Sequence, residues 1–514
     1  MRTKRWNTML SLVLVGILIL LAGCQSVGNV DVGKAMAGSL AVKSSEGKQT
    51  VTLELTPDPA VTMSPEGKRV FDLFSKVKID ITEMKMQDQL HGSMKGEFEY
   101  QKGRVPFELV MSDMNYTLKI EGAKKPIMIR NSETAAAELP KELQEQLQQL
   151  SKKAVEVVPS LTPLFTRNFP NPSKITAADV NETVNGEALT LQKVHAEIYG
   201  NELLGLVKGF LTNVLADDQG LKDFIGVLYD LYVPILKEAT KEIENDTITP
   251  YLSNKALAVE FIHTFLKTHL EQMLKDFDAS VNEMGPEAKA WLSDNQSLKM
   301  DLYVDKDYVT RKSNTEIGFT LPQGKGDGLK SVKITSVYEV WNVNKPVQAA
   351  TIDTAGGVIE MNGADGRLTA GKFVASLDPN SQLYKLLKDD LGVTKKNISM
   401  IVGEDKEMSF GTLPYNDNGT IMVPARFVVE ELDADVKWDA ATKQVKVTDP
   451  LNGTALVLTI GSDEATVNGK TVKLEKPAVL VEGVTYVPVR VVSEGLGAKV
   501  GWEQATQTVK ITRD

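Results

Sequence analysis

The C-terminal region of the chain contains an internal repeat. Residues 423–448 read VPARFVVEELDADVKWDAATKQVKVT and residues 487–512 read VPVRVVSEGLGAKVGWEQATQTVKIT, so a shift of 64 positions aligns them without a gap. Fourteen of the 26 aligned positions are identical. The identical pairs with the most distinctive side chains are Pro424 with Pro488, Arg426 with Arg490, and Trp438 with Trp502. A repeat of this kind predicts two supersecondary units that bury their apolar faces against each other.

One copy of the repeat shows which elements it encodes. The apolar run that ends at Val487 predicts a strand, and Pro488 follows with a fixed φ that suits the first turn of a helix. Gly495 and Gly497 are suited to ending that helix. The alternation that resumes at Val500 predicts a hairpin. Each copy therefore predicts a strand, a short helix and a hairpin, and together they predict a small α+β domain over residues 398–514.

This pattern carries a family resemblance. The run VNGK at 467–470, followed by YVPVR, LGAKV and VKIT, resembles the small domain named after the N-terminal region of copper amine oxidases. The first copy departs from the pattern at residues 403–406, where GEDK replaces the Asn-Gly hairpin. The resemblance implies a non-catalytic, stalk-like appendage on exported proteins of Gram-positive bacteria. It implies a cell-wall or protein partner, and it does not imply copper.

Short runs with period two dominate residues 49–130 and 297–345. Their alternation of apolar and polar side chains is typical of half-buried antiparallel strands. The alternating apolar residues are Val51, Leu53, Leu55, Val77, Ile79, Ile81, Phe98, Tyr100, Val105, Phe107, Leu109, Met111, Tyr116, Leu118, Ile120, Leu298, Met300, Leu302, Val304, Ile317, Phe319, Val332 and Ile334. Residues 139–295 have a helical period instead. The order predicts one α+β domain over residues 49–380, an antiparallel sheet with a helical layer, followed by a linker at 381–397.

Residues 139–295 are expected to form several helices. The first is predicted over Leu139–Val158, and a run of prolines is expected to break the chain into a loop after it. These prolines are Pro159, Pro163, Pro170 and Pro172. Wide apolar stripes follow at 203–215, 224–236 and 262–277, and each is expected to be covered. His269 falls on the last stripe, where a buried, hydrogen-bonded histidine is favoured over a metal ligand.

The N-terminus has the layout of an export signal. Three basic residues among the first five precede an uncharged run, Met9–Ala22. This run has 14 residues, whereas a helix needs about 20 apolar residues to cross a membrane. A signal peptide over residues 1–23 and a flexible leader over 24–48 are predicted.

The tetrad Leu21-Ala22-Gly23-Cys24 resembles the bacterial lipobox. The resemblance implies cleavage before Cys24, a lipid on its thiol, and attachment to the outer face of the cell membrane. Together with the C-terminal resemblance, it implies a Gram-positive bacterium. Cys24 is the only cysteine of the chain, so it has no disulfide partner there. The alternative is an uncleaved anchor or an ordinary secretory signal, with Cys24 uninvolved.

Charge excludes one class of partner. The net charge is −10, and removing residues 1–23 with their three positive charges makes it about −13. An acidic surface repels phosphate backbones, and no basic cluster offsets it, so nucleic acid is not expected as a partner. The length remaining after cleavage exceeds what one core usually supports, which predicts at least two domains.

The sequence offers no active site. Copper amine oxidase chemistry requires three histidines on one copper and a tyrosine that becomes a quinone, and Asn115-Tyr116 is followed by Thr117 where an acid is needed. No two of the four histidines are spaced to share a metal; these are His91, His195, His263 and His269. No catalytic residue, metal or cofactor is predicted. Arg426 and Arg490 are expected to pair with a carboxylate or cover the tryptophan, with anion binding as the alternative.

Two functions follow from these features. The first is a non-catalytic, membrane-anchored binding or structural module of the cell envelope, not an enzyme. The second is a carrier of lipid or another apolar ligand through the middle domain, whose strands and Leu-, Phe- and Val-rich helices also resemble the half-barrel lipoprotein carriers. The alternative to the carrier function is that these helices only form the hydrophobic core of the domain.

Overall fold

The computed structural model describes residues 26–28, 30–113, 115–130, 141–239, 249–322, 324, 326–363, 366–403 and 413–514. The chain divides into two compact units. The first runs to Leu118 and resumes over Arg130–Asp353, and the second comprises Lys119–Ile129 and Thr354–Asp514. The sequence-based boundary at residue 380 differs from this division. Residues 354–380 lie in the second unit, where Ile359–Glu360 pairs in parallel with the strand Ile127–Ile129.

The first unit is a sheet with helices. Its strands are β1 (Ser45–Pro57), β2 (Lys76–Met86), β3 (His91–Tyr100), β4 (Gly103–Ser112), β5 (Asn115–Ile120), β7 (Lys174–Val184), β8 (Glu187–Tyr199), β9 (Ser297–Val304), β10 (Thr310–Thr320) and β11 (Leu329–Trp341), with β6 (Ile127–Ile129) in the second unit. Its helices are α1 (Val32–Leu40), α2 (Pro65–Phe74), α3 (Lys141–Asn168), α4 (Gly200–Ala216), α5 (Asp218–Ala239), α6 (Thr249–Ser253), α7 (Lys255–Asn282) and α8 (Pro286–Ala290).

The ten strands of this unit form one sheet in the order β5-β4-β3-β2-β1-β11-β10-β9-β8-β7. The predicted alternating runs are all strands, and β1 pairs antiparallel with both β2 and β11. Bulges interrupt the register in β1 between Gly47 and Gln49 and in β2 between Ile81 and Glu83. Gly96 of β3 faces the second bulge, where a Cβ atom would lie 2.5 Å from the Asp80 carbonyl oxygen. Such bulges bend and twist the strands that carry them.

The expected break of the chain at Pro159 is wrong. Helix α3 continues through Pro159 and Pro163 to Asn168. Proline at 163 has no N–H to donate to the carbonyl oxygen of Pro159, and the Thr162 hydroxyl donates to that oxygen instead, at 2.8 Å. Leu164 and Phe169 at the end of the helix are buried, so tertiary packing offsets the cost of the prolines.

Two further expectations are corrected in the first unit. The region 139–295 is not helical throughout, because β7 and β8 lie within it as an antiparallel hairpin. The leader 24–48 is not a flexible spacer over its described residues, because α1 spans Val32–Leu40 and β1 begins at Ser45. Val30 and Val32 are buried against Val194 of β8, which explains why this short segment is ordered.

The second unit combines small sheets with short helices. Its remaining strands are β12 (Ile359–Glu360), β13 (Asn362–Gly363), β14 (Gly366–Arg367), β15 (Lys396–Ile401), β16 (Tyr415–Asp417), β17 (Thr420–Pro424), β18 (Asp435–Asp439), β19 (Gln444–Thr448), β20 (Ala455–Thr459), β21 (Glu464–Val467), β22 (Lys470–Lys473), β23 (Val479–Val481), β24 (Val484–Pro488), β25 (Lys499–Glu503) and β26 (Thr508–Arg513). Its helices are α9 (Ala370–Ala375), α10 (Gln382–Tyr384), which continues into a π-helical turn at Lys385–Asp390, α11 (Ala425–Glu431) and α12 (Val489–Gly495). The predicted linker 381–397 therefore contains helical structure and the start of β15.

The elements of the second unit occur twice. Helix α11 starts at Ala425 and α12 starts 64 residues later at Val489, and the flanking strands keep the same offset. The core between the copies is closed, since Val428, Leu456 and Leu496 have no exposed surface.

A buried ion-pair cluster joins the ends of the two copies. The Arg513 guanidinium lies 3.0 Å from the Asp449 carboxylate, 64 residues earlier, and 4.0 Å from that of Asp433. Lys396 lies 2.8 Å from Asp433. Asp433 has a φ of 60°, where the second copy has Gly497 with a φ of 76°. An aspartate in this left-handed position is strained less than most residues, and its carboxylate completes the cluster.

The predicted fold class is confirmed. The first unit is a large antiparallel sheet with helices, and the second is a smaller α+β arrangement. Among the described helices, none is long and apolar enough to cross a membrane.

Candidate functional site

The sheet of the first unit has two chemically different faces. One face is charged: Lys76 lies 2.8 Å from Glu54, and Lys333 lies 2.7 Å from Glu316. The Lys76 ammonium beside Glu54 lowers the pKa of that carboxyl. We call this the outer face. The opposite face, which we call the inner face, carries the alternating apolar residues.

A single row of apolar residues crosses the inner face and changes its environment along the way. The cross-strand neighbours are, in order, Ile198, Leu298, Ile317, Ile334, Leu53 and Val77. Ile198 and Leu298 are buried, at 5% and 6% exposure, because Phe169, which follows α3, and Leu206 of α4 pack against them. From Ile317 to Val77 the residues are only half-buried. In the next row Ile79 is 36% exposed. The inner face is therefore covered at one side and open over β10, β11, β1 and β2.

The covered side of the inner face ends at a small apolar recess. Leu203 of α4 and Phe319 of β10 lie on its wall together with Leu298. Gly200 at the start of α4 also lines the recess. The chain before β9 packs directly against it, since a Cβ atom at Gly200 would lie 2.3 Å from the Ser293 carbonyl oxygen. The recess continues the apolar surface of the open rows.

A few polar side chains lie among the apolar residues of the inner face. Gln49 donates to the Ser336 hydroxyl at 3.1 Å. Tyr338 is the neighbour of Gln49 across the strands, and burial raises the pKa of its hydroxyl. The Tyr338 hydroxyl therefore stays protonated at neutral pH and is a hydrogen-bond donor. An apolar surface with a few polar groups is the usual lining of a site for small ligands.

Glu197 of β8 is held ionised by its neighbours. The Tyr199 hydroxyl donates to Glu197 at 2.6 Å, Lys174 lies 3.2 Å away, and together with His195 they lower the pKa of Glu197 to about 2. A carboxylate with so low a pKa is a weak general base near neutral pH. This arrangement suits a surface ion pair better than acid–base chemistry.

Helix α7 presents a second apolar surface. Residues on one side of it, including Val259, Leu266 and Leu270, pack against α3, α4 and α5. Phe261 and Phe265 on another side are each 53% exposed. The expectation that the stripe at 262–277 is covered holds only for part of it.

His269 is not the buried histidine of this helix. It is exposed, and its Nδ1 atom lies 2.7 Å from the Phe265 carbonyl oxygen. His263 is the buried one, with its Nε2 atom 3.1 Å from Asp218. The expectation of a buried His269 is wrong because α7 is apolar on two sides, and the helical period alone does not say which side packs.

The repeat residues lie on the surface and at helix starts of the second unit. Pro424 and Pro488 are the cap residues that precede α11 and α12. Arg426 lies 3.1 Å from Glu430, one turn further along α11. Arg490 lies 3.5 Å from Glu475, outside its own helix. Each arginine therefore has a carboxylate neighbour, which lies within the same helix for Arg426 and outside the helix for Arg490.

The two repeat tryptophans are exposed. Trp438 and Trp502 have 45% and 42% of their surface accessible. The indole N–H of Trp502 donates to Gln504 at 2.7 Å. Trp502, Arg490 and Thr420 line a shallow cleft. Neither ring is among the buried residues that form the core of this unit.

Some predicted residues lie elsewhere. Leu21, Ala22, Gly23 and Cys24 are outside the described residues, as is most of the departing hairpin at 403–406. Across the part of the chain that the structure describes, no three acidic, histidine or cysteine side chains are grouped to hold a metal ion. Sequence reasoning found every strand of the open inner face but not the pairing of β1 with β11, because periodicity does not specify register between distant strands.

Comparisons with known proteins give a family match within the second unit and a similarity to a solved structure that covers more of the chain. Residues 402–511 match the family model of the copper amine oxidase N-terminal domain, which confirms the resemblance found in the sequence. The crystal structure of the lipoprotein LppX of Mycobacterium tuberculosis is similar at 10% identity, over 62% of this chain and 94% of that one, with a TM-score of 0.21. Curated protein sequences give no significant match.

Proposed function

We propose that this protein is a non-catalytic, exported lipoprotein whose first unit holds an apolar ligand on the inner face of its sheet. The observation that carries the proposal is the row from Ile198 to Val77, which is buried at one end and half-exposed at the other. A row that served only as core is expected to be covered along its whole length, because each buried aliphatic side chain contributes roughly 1.5–3 kcal/mol.

An acyl chain is the ligand that fits this surface best. The open rows are aliphatic, and an extended hydrocarbon chain buries area without needing hydrogen bonds. Gln49 and Tyr338 lie among these rows and supply donors for an ester or head group. The proposed ligand is therefore a lipid with a polar group near its centre or end.

Extraction tests the ligand directly. The purified protein is treated with organic solvent, and the extract is analysed by mass spectrometry against the protein concentration. We expect about one lipid per chain. A protein purified from membranes that yields an empty extract, and that fails to take up fluorescent fatty acid afterwards, contradicts the carrier function.

A matched pair of variants assigns the ligand to the inner face. Leu53→Glu places a carboxylate on the inner face, and Thr52→Glu places the same group on the outer face of the same strand, β1. Leu53→Glu is expected to lose the ligand, because burying a charge against an acyl chain is costly. Thr52→Glu is expected to keep it. Equal lipid recovery from both variants contradicts the assignment.

The tether is a separate part of the proposal. The lipobox resemblance at Leu21–Cys24 supports the proposal that an acylated Cys24 forms the mature N-terminus, on the outer face of the membrane. Two acyl chains make such an attachment stable. Mass spectrometry of the N-terminal peptide from native membranes is expected to show a chain that begins at Cys24 and carries fatty acyl mass. A different N-terminus, or an unmodified one, contradicts the tether.

A second candidate function belongs to the second unit. Trp438 and Trp502 are exposed and repeat-related, and exposed aromatic residues are enriched in binding surfaces. They favour a contact with the cell wall or a protein. Co-sedimentation of the full chain with isolated cell walls is expected to weaken in a Trp438→Ala/Trp502→Ala variant. It is expected to be unchanged in Leu480→Ala, an exposed residue of the same unit, and equal binding of all three proteins contradicts this role.

A further inference from the structure

The first residues that the structure describes are fixed on the edge of the large sheet. The backbones of Val27 and Val30 bond each other, with N–O distances of 2.9 and 3.0 Å. A Cβ atom on Gly28, between them, would lie 3.7 Å from the Cβ atom of Ala177 in β7. Val30 is 2% exposed and packs against Val194 of β8. The chain therefore reaches β7 at Gly28.

Helix α1, which follows, holds this segment in place. Ala35 is 1% exposed. A Cβ atom on Gly33 would lie 3.1 Å from the Thr166 Cβ atom of α3. At the end of α1 the Ser39 hydroxyl accepts a hydrogen bond from the Thr310 N–H at 3.0 Å. The segment that begins at Val27 is thus part of the folded first unit and does not act as a spacer in front of it.

Strand β7 is an edge of the sheet. Among the described strands it pairs only with β8, so its other side carries backbone N–H and C=O groups without a strand partner. Its exposed side chains are mostly polar, as at Thr176, Asp179, Asn181 and Thr183. An open sheet edge does not enter hydrocarbon, because its backbone groups would lose their hydrogen bonds to water. The hydrated layer of lipid head groups satisfies such an edge.

We propose that β7 is the membrane-facing edge of the first unit and lies at the level of the lipid head groups. This inference rests on the tether in the proposed function, since an acylated Cys24 makes the bilayer the neighbour of this edge. It goes beyond the tether because it says which surface of the folded protein faces the lipid.

The length of the tether carries this orientation. Cys24 precedes Gly28 by four residues, which span about 14 Å at most. A flexible leader over residues 24–48, as predicted from the sequence, would instead reach about 80 Å. A lipid on Cys24 holds that residue at the boundary between acyl chains and head groups. Strand β2 is six strands from β7 in the sheet, about 29 Å along it, so the tether brings the β7 edge closest to the bilayer.

Quenching from the head groups tests the orientation. Cys24 is the only cysteine, and the lipid consumes its thiol, so an introduced cysteine is a unique labelling site. Ala178 of β7 and Val70 of α2, the helix between β1 and β2, are both exposed. Acylated Ala178→Cys and Val70→Cys carry the same fluorophore, in phosphatidylcholine vesicles with a nitroxide on the head group. We expect the label of Ala178→Cys to lose most of its fluorescence and that of Val70→Cys to keep it.

A longer tether is the matched control. A Gly-Ser insert of about 20 residues directly after Gln25 has a root-mean-square length of about 25 Å. In Ala178→Cys this insert is expected to restore most of the fluorescence, because the edge is no longer held at the membrane surface. The same variant with Cys24→Ala, which carries no lipid, is expected to show no quenching in the same vesicles.

Three results overturn the inference. The first is equal quenching of the two labels, and the second is stronger quenching of Val70→Cys. The third is quenching of Ala178→Cys that the long insert leaves unchanged, since a short tether would then not set the orientation. Thr176→Cys, a second exposed site on β7, is expected to repeat the result if Ala178→Cys fails to fold, which near-ultraviolet circular dichroism shows.

The outcome is separable from that of the proposed function. Mass spectrometry of the N-terminal peptide from the same vesicles measures the tether. An unmodified Cys24 contradicts the tether and this inference together, whereas an acylated chain with an unquenched label on β7 overturns only this inference. The carrier function is measured independently by lipid extraction, since Ala178 lies on the outer face and its label leaves the inner face intact.

Discussion

Both units contain aliphatic side chains on their strands, but they bury these side chains to different extents. In the second unit Leu456, Leu458 and Ile511 have no exposed surface, and the two repeat copies close on each other. In the first unit the equally aliphatic Leu53, Ile334 and Val77 stay half-exposed on an open sheet face. Burial is therefore complete in the core between the repeat copies, and incomplete on the sheet face where we propose that the first unit binds an apolar ligand. The predictions below test this contrast, beginning with the largest effect.

The largest stability effect is expected at the buried ion-pair cluster of the second unit. Arg513→Met leaves the buried carboxylates of Asp433 and Asp449 without this cation, which is expected to cost about 3–5 kcal/mol. Urea unfolding followed by tryptophan fluorescence measures the change. Arg426→Met, which breaks an exposed pair, is expected to change the free energy of unfolding by less than about 1 kcal/mol. Equal changes in the free energy of unfolding for the two variants would show that the buried cluster stabilises the fold no more than a surface ion pair does.

The next prediction compares one leucine from each unit. Leu458→Ala removes a fully buried side chain and is expected to cost about 2–5 kcal/mol. Leu53→Ala removes a half-buried one from the inner face, and the ligand-free protein is expected to lose about half as much. Denaturant titration of ligand-free protein measures both. If Leu53→Ala costs as much as Leu458→Ala, the inner face is ordinary core and the contrast between the units fails.

A smaller effect is expected at the exposed side of α7, which carries Phe261 and Phe265. Phe261→Ser removes a ring that is more than half exposed, so the free energy of unfolding in solution is expected to change by about 1 kcal/mol or less. Thermal unfolding of the unlipidated chain measures it. If the free energy of unfolding falls as much as in Leu458→Ala, Phe261 contributes to the core of the first unit, and the contrast between exposed and buried residues fails here.

The smallest effects are expected at surface ion pairs, where the units do not differ. Lys446 and the Thr442 amide lower the pKa of Asp439 to about 2, as Tyr199 and Lys174 do for Glu197. A lowered carboxyl pKa stabilises the fold above the unfolded value of about 4, and this stabilisation is lost as the pH falls towards 2. NMR titration is expected to show Lys446→Met raising the pKa of Asp439. An unchanged value would exclude Lys446 as the cause.

Local sequence signals predicted the elements but not their partners. The alternation at Val51–Leu55 and the stripes at 203–215 and 224–236 specified strand and helix correctly, because burial on one side imposes a period. The break expected at Pro159 and Pro163 does not occur, because the Thr162 hydroxyl bonds the Pro159 carbonyl oxygen and the packing of Leu164 offsets the cost of the prolines. Propensity is a weak guide where tertiary contacts decide.

The candidate site was less predictable than the fold. The inner-face residues were identified as strand residues, but their exposure depends on which strands the helices cover, and α3 and α4 cover only the β8–β10 side. The two-sided apolarity of α7 was visible in the sequence, at Phe261 and Phe265. Only the packed arrangement shows which side has a partner.

The pairing of β1 with β11 also has a consequence for how this protein is made. Glu46 lies opposite Trp341, so one edge of β1 has no neighbour until nearly 300 further residues have been synthesised. Pairing between such distant segments is slow, and unpaired edges aggregate. Premature termination before residue 329 would leave that edge bare, so the synthesis of β11 is the step at which the sheet of the first unit can first close around β1.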